Sequence, residues 1–193
     1  LATVVAFVNG ALPSAAAVLL LVGLAGGLAY SLRPVAAMRR GWGEPLNAVL
    51  GAMVLPLYGV ATLAASVGPL DVVAFLPFLF VTFASVLATA WPDRGADSAT
   101  GKRTLQVRLS QRALRRLALV AASAFVASTI LSVAAAAMPL ATVGLLVTPL
   151  LALGLVRYTR VEDPTANVAA MVGLSIITFL VLAASLAGDG GLR

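Results

Sequence analysis

The run VVAFLPFLFVTFASVLATAWP, residues 72–92, contains no charged side chain. An α-helix needs roughly 20 apolar residues to cross the hydrocarbon core of a bilayer, so this run is long enough to span a membrane. Four other runs are equally free of charge: residues 1–32, 45–70, 117–156 and 164–188. These runs are continuously apolar, whereas the strands of a membrane barrel alternate in polarity over about 10 residues. The sequence therefore predicts an all-α fold, a polytopic transmembrane helical bundle.

The composition of the chain supports a membrane protein. Of the 193 residues, 61% are hydrophobic and only 10% are charged, and the mean hydropathy is +1.05. A soluble domain carries about a quarter charged residues, and a disordered chain needs low hydrophobicity, so both classes are excluded. The chain has no Cys and no His, which excludes disulfides, thiolate or imidazole metal sites, and a histidine general base.

Turn signals divide the longest apolar runs. Asn9-Gly10-Ala11-Leu12-Pro13 separates a partial helix, residues 1–8, from a full crossing, and Met138-Pro139 divides the longest run. The predicted spans are residues 14–32, 46–66, 72–91, 117–137, 140–156 and 166–187, which makes seven segments with the partial helix. Because residues 1–8 are too short to span and lack a basic flank, we expect the chain to begin partway through a helix rather than with a signal peptide.

The charged residues concentrate in three alternate loops, residues 33–45, 92–116 and 157–165. All but one of the 13 basic residues lie there, and the remaining one is Arg193. Alternate loops of a helical membrane protein share one face, and the positive-inside rule assigns this face to the cytoplasm of a multi-pass protein of the cell membrane. This asymmetry explains the net charge of +6 without a nucleic-acid partner; the pattern leaves the oligomeric state open.

Aromatic and basic residues mark the predicted ends of the spans. Trp42 and Trp91 lie where tryptophans are enriched at membrane interfaces, so we expect both to anchor the protein there. Arg112, Arg115 and Arg116 precede the span 117–137, and we expect them to hold it at the anionic membrane surface.

Two acidic residues in the loop 92–116 form a candidate metal site. Asp93 and Asp97 are four residues apart, so in a helix both carboxylates lie on one face and repel unless a cation bridges them. Mg²⁺ binds through one or two carboxylates together with substrate phosphates, and Lys102 and Arg103 follow to pair with phosphate oxygens. This pattern favours a diphosphate–Mg²⁺ site at the membrane surface. The alternative is a solvated loop in which acids and bases neutralise each other.

Two loop sequences carry a resemblance to a known family. The string DRGADSATGKRTLQVRL, residues 93–109, resembles the second aspartate-rich motif of the UbiA superfamily of intramembrane prenyltransferases, closest to the 1,4-dihydroxy-2-naphthoate prenyltransferases of menaquinone synthesis. YSLRP, residues 30–34, and RRGWGE, residues 39–44, resemble the connection between the fourth and fifth helices of that family. The resemblance covers the whole chain, residues 1–193, as one transmembrane prenyltransferase domain containing helices three (partial) to nine of a nine-helix fold.

The resemblance implies a function and roles for single residues. Members of the family use Mg²⁺ to move a prenyl chain from a prenyl diphosphate to an aromatic or other lipophilic acceptor, in quinone or isoprenoid lipid biosynthesis. Carried over to this chain, the resemblance makes Asp93 and Asp97 the catalytic metal ligands and Lys102 and Arg103 the diphosphate-binding residues. It places the remaining candidates, which line the cavity or contact the acceptor, at Tyr30, Ser31 and Glu44. For Glu44, a hydrogen bond within the loops or a helix start with Pro45 remains equally open.

The sequence departs from the family in one respect. The other aspartate-rich motif, N-D-x-x-D-x-x-x-D or a relative of it, would lie between the second and third helices, and no such string occurs here. Because the chain is expected to begin inside helix three, we expect the motif to lie before residue 1. On this expectation the 193 residues by themselves would not transfer a prenyl group.

Other function classes are weighed against this one. A nucleotide-binding P-loop would need Gly at 96 and Ser or Thr at 103, where the chain has Ala96 and Arg103. A CDP-alcohol phosphatidyltransferase would need D-x-x-D-G-x-x-A-R, which is absent. A multi-pass transporter usually carries ionisable residues or broken helices at mid-membrane. The six full spans contain no charge, and no inverted repeat is visible, so the transporter stays as the alternative.

Overall fold

The described part of the chain consists of α-helices joined by short connections. The computed structural model describes residues 9–10, 12–135 and 144–189, with side chains up to residue 180. Its helices are, in chain order, α1 (Ser14–Ser31), α2 (Ala37–Arg40), α3 (Gly43–Ala64), α4 (Pro69–Thr89), α5 (Arg94–Ala99), α6 (Leu105–Arg108), α7 (Gln111–Ala134), α8 (Gly144–Arg157) and α9 (Thr165–Asp189). No described residue lies in a strand, which confirms the predicted all-α class.

The long helices match the predicted membrane spans. By length and composition α1, α3, α4 and α7 can each cross a membrane, while α8 and the stretch Thr165–Leu180 of α9 are apolar and shorter. Each of the six predicted full spans corresponds to one of these helices. The structure is therefore a helical membrane bundle. The partial helix at residues 1–8 and the break at Met138-Pro139 lie outside the described residues.

The predicted start of the fourth span is wrong by about two turns. Instead of beginning at residue 117, α7 begins at Gln111, because the Ser110 hydroxyl accepts a hydrogen bond from the Ala113 N–H at 3.2 Å and caps the helix. Hydropathy detects only the apolar part of a helix, and the first turns of α7 carry arginines. Arg112, Arg115 and Arg116 therefore belong to the helix itself rather than to a loop before it.

The core lies between α4, α7, α8 and α9. Its fully buried side chains include Val81 on α4, Phe125 on α7 and Leu151 on α8. The face of α7 that packs against α4 is rich in Ala and Ser, and small residues let two membrane helices approach closely. The contact also includes a hydrogen bond from the Ser132 hydroxyl to the Val73 carbonyl oxygen, at 2.8 Å. These four helices form the frame to which the loops attach.

The pairing of α1 with α3 sets the position of two candidate site residues. A Cβ atom at Gly26 would lie 2.6 Å from Leu50 Cδ2, so the absence of a side chain at Gly26 permits this close contact. Because α1 ends and α3 begins at the same end of the bundle, Tyr30 and Glu44 come to line one cavity.

The three charged loops meet at one end of the bundle, which we call the charged end. The Arg103 N–H donates to the Arg39 carbonyl oxygen at 2.9 Å, joining the first loop to the second. The Arg94 guanidinium binds Glu162 Oε1 at 2.9 Å, joining the second loop to the third. The connection from α3 to α4 belongs to the opposite end of these helices. The three charged loops thus lie at the same end of the bundle, as their charges predicted.

This arrangement predicts the result of a labelling experiment. The chain has no Cys, so single cysteines can be introduced at Ser66, between α3 and α4, and at Ser98, at the charged end; both positions are exposed. We expect a membrane-impermeant maleimide to reach the two cysteines from opposite sides of the membrane. Labelling of both from the same side would contradict the arrangement of α3 and α4.

Candidate active site

A cavity of about 290 Å³ opens at the charged end; we call it the site cavity. Its wall is built from the end of α1, the start of α3, the end of α4 and the loop that follows α4. The ionisable side chains in this wall are Tyr30, Glu44, Asp93, Asp97 and Lys102, and Thr104 contributes a hydroxyl. The apolar bundle thus ends in a polar pocket lined by residues from several helices and loops.

The acid pair lines this cavity with unequal exposure. Asp93 immediately precedes α5 and is exposed, whereas Asp97 lies on α5 and is 8% exposed. The Asp97 N–H donates to the Asp93 carbonyl oxygen at 2.9 Å, which is the helical hydrogen bond expected at this spacing. The helical geometry predicted for the pair is therefore present. Asp97 is too buried for the simple solvated-loop alternative.

Asp97 is paired with the nearby lysine. Lys102 Nζ lies 2.8 Å from Asp97 Oδ1, and the Lys102 backbone N–H donates to the Asp97 carbonyl oxygen at 2.9 Å. The hydrogen bond and the negative charge of Asp97 raise the pKa of Lys102 above its usual value. Lys102 is therefore protonated and neutralises Asp97, and this much of the mutual-neutralisation alternative is present in the structure.

The cavity includes five of the seven candidate residues. Tyr30, Glu44, Asp93, Asp97 and Lys102 line it together. The other two candidates are exposed and are not among its lining residues: they are Ser31 and Arg103. The contact made by Arg103 is through its backbone, to the loop that precedes α3.

Glu44 lies in the first turn of α3 and also contacts a distant loop. Its side chain is buried, with the residue 5% exposed, and Oε1 accepts a hydrogen bond from the Leu105 N–H, at 2.9 Å. This N–H is at the start of α6, where backbone donors have no partner within the helix. Helix α3 begins at Gly43 rather than at Pro45, so Glu44 lies in its first turn, and the hydrogen bond within the loops is present as well. Glu44 Oε2 is buried without a partner among the described residues.

Two further contacts fasten the same loops together. Besides the Arg103 backbone bond, the Arg108 guanidinium donates to the Arg40 carbonyl oxygen at 2.9 Å. Gly41 lies under this contact with φ +80°, and a Cβ there would lie 2.7 Å from the Arg103 carbonyl oxygen. The first loop supplies acceptors and the second supplies donors. These contacts hold the segment that carries Lys102 against the bundle.

Trp91 packs against Tyr158 and Arg94 at the charged end. Trp91 is 5% exposed, its ring lies edge-on to Tyr158 with centroids 6.2 Å apart, and the Arg94 guanidinium carbon lies 3.9 Å from its ring centroid. The predicted interfacial anchoring is therefore wrong for Trp91, because the ring is packed inside the protein. Trp42 is 66% exposed. Burial raises the pKa of Tyr158, so its phenol is neutral.

Three polar residues that line the site cavity were not predicted as candidates: Asn47, Thr89 and Thr104. Thr104 lines the cavity with its residue 9% exposed, and Asn47 lines it from the first turns of α3. Thr104 belongs to the string GKRTL, so the motif contained it, but no pattern assigned a role to its hydroxyl. Asn47 is an amide near the start of a long apolar helix, and this position is the signal that could have identified it.

Comparison with known proteins gives one match. The family model described as the UbiA prenyltransferase family matches residues 1–183. No curated protein and no solved structure matches the chain significantly.

The fastening of the two loops can be tested at Gly41. We expect Gly41→Ala to destabilise the protein by about 1–3 kcal/mol, because alanine is strained at positive φ and its Cβ would meet Arg103. The control is Gly95→Ala on α5, where a Cβ meets nothing within 4 Å. Thermal unfolding followed by tryptophan fluorescence measures the difference. Equal melting temperatures for the two variants would contradict the loop geometry.

Proposed function

The chain belongs to the UbiA prenyltransferase family and is a membrane prenyltransferase, and from this premise we propose the substrates and residues that it uses. The donor is a prenyl diphosphate, and the acceptor is an aromatic or other lipophilic compound of quinone or isoprenoid lipid biosynthesis. The observation that carries the proposal is the site cavity, where Asp93, Asp97 and Lys102 lie together at the end of an apolar bundle. Membership of the family also favours a transferase over the transporter alternative.

The residues of the site cavity fit Mg²⁺ as the cofactor. The charged groups in its wall are three carboxylates, Glu44, Asp93 and Asp97, and the ammonium of Lys102. Such a cavity repels a diphosphate unless cations accompany it. Among the described residues no group of three or more His, Cys, Asp or Glu side chains is close enough to hold a metal ion, so a metal held by Asp93 and Asp97 would need water or phosphate ligands, which Mg²⁺ accepts. Asp93 and Asp97 are the residues proposed to hold it.

The chain's own residues have distinct tasks in the proposed reaction. The C1–O bond of the prenyl diphosphate breaks, and both electrons leave with the diphosphate. A bond then forms between C1 and the acceptor, which loses a proton. Bound Mg²⁺ would supply neutralisation of the leaving diphosphate. Lys102 donates hydrogen bonds to its oxygens, and the Tyr30 ring lies in the same wall to stabilise positive charge on the allylic carbon.

The finer assignments follow the loop motifs. The loop motifs lead us to place the chain in the branch of the 1,4-dihydroxy-2-naphthoate prenyltransferases. We place the charged end on the cytoplasmic side of the cell membrane because the basic residues concentrate there. Arg103 and Ser31 remain proposed as a diphosphate contact and a cavity residue. Both would have to turn inward when substrate binds, since both are exposed in this structure.

The acid pair gives the first test of this proposal. We expect Asp93→Asn or Asp97→Asn to lower Mg²⁺-dependent turnover at least about 30-fold, since electrostatic stabilisers of this kind contribute about 2–4 kcal/mol to the barrier. The measurement is transfer of a radiolabelled prenyl group by the full-length, membrane-embedded enzyme. Asp163→Asn is the matched control, because Asp163 caps α9 through Thr165 and pairs with Arg157, away from the cavity. Normal turnover in both site variants would support the alternative, a solvated loop in which acids and bases neutralise each other.

Lys102 gives a test that does not depend on turnover. Replacing it with Gln leaves Asp97 without its cation, so we expect divalent metal alone to bind more tightly. The diphosphate should bind at least about tenfold more weakly, because its own cationic contact is lost. Mn²⁺ binding by electron paramagnetic resonance and binding of a radiolabelled prenyl diphosphate measure the two effects. Arg116→Gln, an exposed charge of the same end, should change neither. Unchanged affinities in Lys102→Gln would contradict the assigned role.

A further inference from the structure

The first turns of α7 carry three arginines on one face of the helix, which we call the arginine patch. Arg112, Arg115 and Arg116 are three and four residues apart, so their side chains leave the helix at neighbouring positions. All three residues are exposed. They line one open surface cavity of about 670 Å³, whose other described lining residues are Ser110, Gln111 and Leu119. This cavity shares no described lining residue with the site cavity.

The charges of the arginine patch are not balanced by acids of the described chain. Three ion pairs occur among the described side chains, and none of them includes an arginine of the patch. Like charges at this spacing on a helix repel each other. An anion that binds between the arginines removes this repulsion. The patch therefore has the charge that favours an anionic ligand.

One arginine of the patch is held in place by a neutral group. Arg115 Nε donates to the Thr159 hydroxyl at 2.6 Å, which joins α7 to the loop between α8 and α9. The hydroxyl carries no charge, so the bond orients the guanidinium without neutralising it. This bond uses one of the N–H donors of the guanidinium, and the others can form the paired hydrogen bonds by which arginine binds phosphate. The geometry thus favours a phosphate group as the ligand.

Next to the arginine patch, the same helix presents apolar side chains at its surface. Leu119 is 57% exposed and Val120 is 63% exposed, and α7 can cross a membrane by length and composition. Leu119 follows Arg116 by three residues, which is about 4.5 Å along a helix. Phosphate-binding groups and exposed apolar surface therefore adjoin each other, as the phosphate and the acyl chains of a phospholipid do. A soluble phosphate ion would use only the arginines.

The charge of the patch also selects among phospholipids. A zwitterionic phospholipid carries a cationic ammonium group beside its phosphate, and the arginines repel that group. We propose that the arginine patch binds an anionic phospholipid, with the lipid phosphate at the three arginines and the acyl chains along Leu119 and Val120. Such a site differs from the general attraction of basic loops to an anionic membrane, because it requires these side chains rather than the net charge of the charged end. It is also independent of the reaction proposed above.

The test measures which phospholipid lies beside α7. A fluorophore is attached through Ser123→Cys, an exposed position of α7 seven residues after Arg116, in the full-length protein in phosphatidylcholine nanodiscs. Its quenching is compared between phosphatidylglycerol and phosphatidylcholine that carry the same nitroxide on an acyl chain, at physiological ionic strength. We expect the phosphatidylglycerol to be enriched beside the fluorophore at least about fivefold over the phosphatidylcholine.

Two double variants separate a discrete site from general surface charge. Arg112→Gln with Arg116→Gln removes two arginines of the patch, while Arg115 stays because it also contacts the loop after α8. Arg33→Gln with Arg40→Gln is the matched control, which removes the same charge from exposed residues of the first loop at the same end. We expect the patch variant to lower the enrichment below about twofold and the control to keep it. Exposed substitutions of this kind change stability little, and thermal unfolding checks that both variants are folded.

Each contrary result counts against the site. Equal quenching by the two lipids in the original protein would mean that α7 does not select an anionic headgroup. An equal loss of enrichment in both double variants would assign the effect to net surface charge. Full displacement of the phosphatidylglycerol by millimolar inorganic phosphate would make the patch a site for soluble anions. If the double variant of the patch does not fold, the single variants Arg112→Gln and Arg116→Gln replace it, and unchanged enrichment in both would contradict the proposal.

Discussion

The hydrogen bond between Glu44 and the Leu105 N–H is the contact on which the arrangement of the site depends. It joins residues 61 positions apart in the chain and fixes α6 against the start of α3. With α6 in place, the preceding turn carries Lys102 over Asp97 at 2.8 Å. The bundle itself presents an apolar surface to lipid, so its loops have few other places to attach. Carboxylate, lysine and cavity are thus brought together by one buried acceptor and the backbone bonds beside it.

The bilayer explains why the helices were predictable from sequence. Every backbone polar group in the hydrocarbon core must be satisfied within its own segment, so a long uncharged run such as residues 72–92 has to be helical. Helix ends depend on local capping instead. α7 begins at Gln111 because the Ser110 side chain caps it, and hydropathy contains no information about that bond. The error at residue 117 is therefore an error about caps, while the existence of the span was predicted correctly.

Only those contacts of the site that join residues close together in the sequence could be predicted. Asp93 and Asp97 are one helical turn apart, so their spacing alone indicated that they share a surface, and the turn after α5 brings Lys102 back to Asp97. Glu44 and Leu105 meet through a contact between distant loops, which no spacing rule describes. Trp91 shows the same limit. Its position at the end of a span indicated lipid, but Tyr158 and Arg94 from the loops enclose it.

The pair formed by Asp97 and Lys102 constrains how a diphosphate can enter. A buried carboxylate needs a cation beside it, so Lys102 can leave Asp97 for a phosphate oxygen only when another cation replaces it. A metal ion that arrives alone must displace the lysine, and a diphosphate that arrives alone meets carboxylates and an occupied lysine. Under the proposed function, a metal–diphosphate complex would meet neither obstacle, since Asp97 would hold the metal while Lys102 would bind the phosphate. Such an exchange would keep Asp97 and Lys102 each beside an opposite charge, which favours entry of donor and metal together.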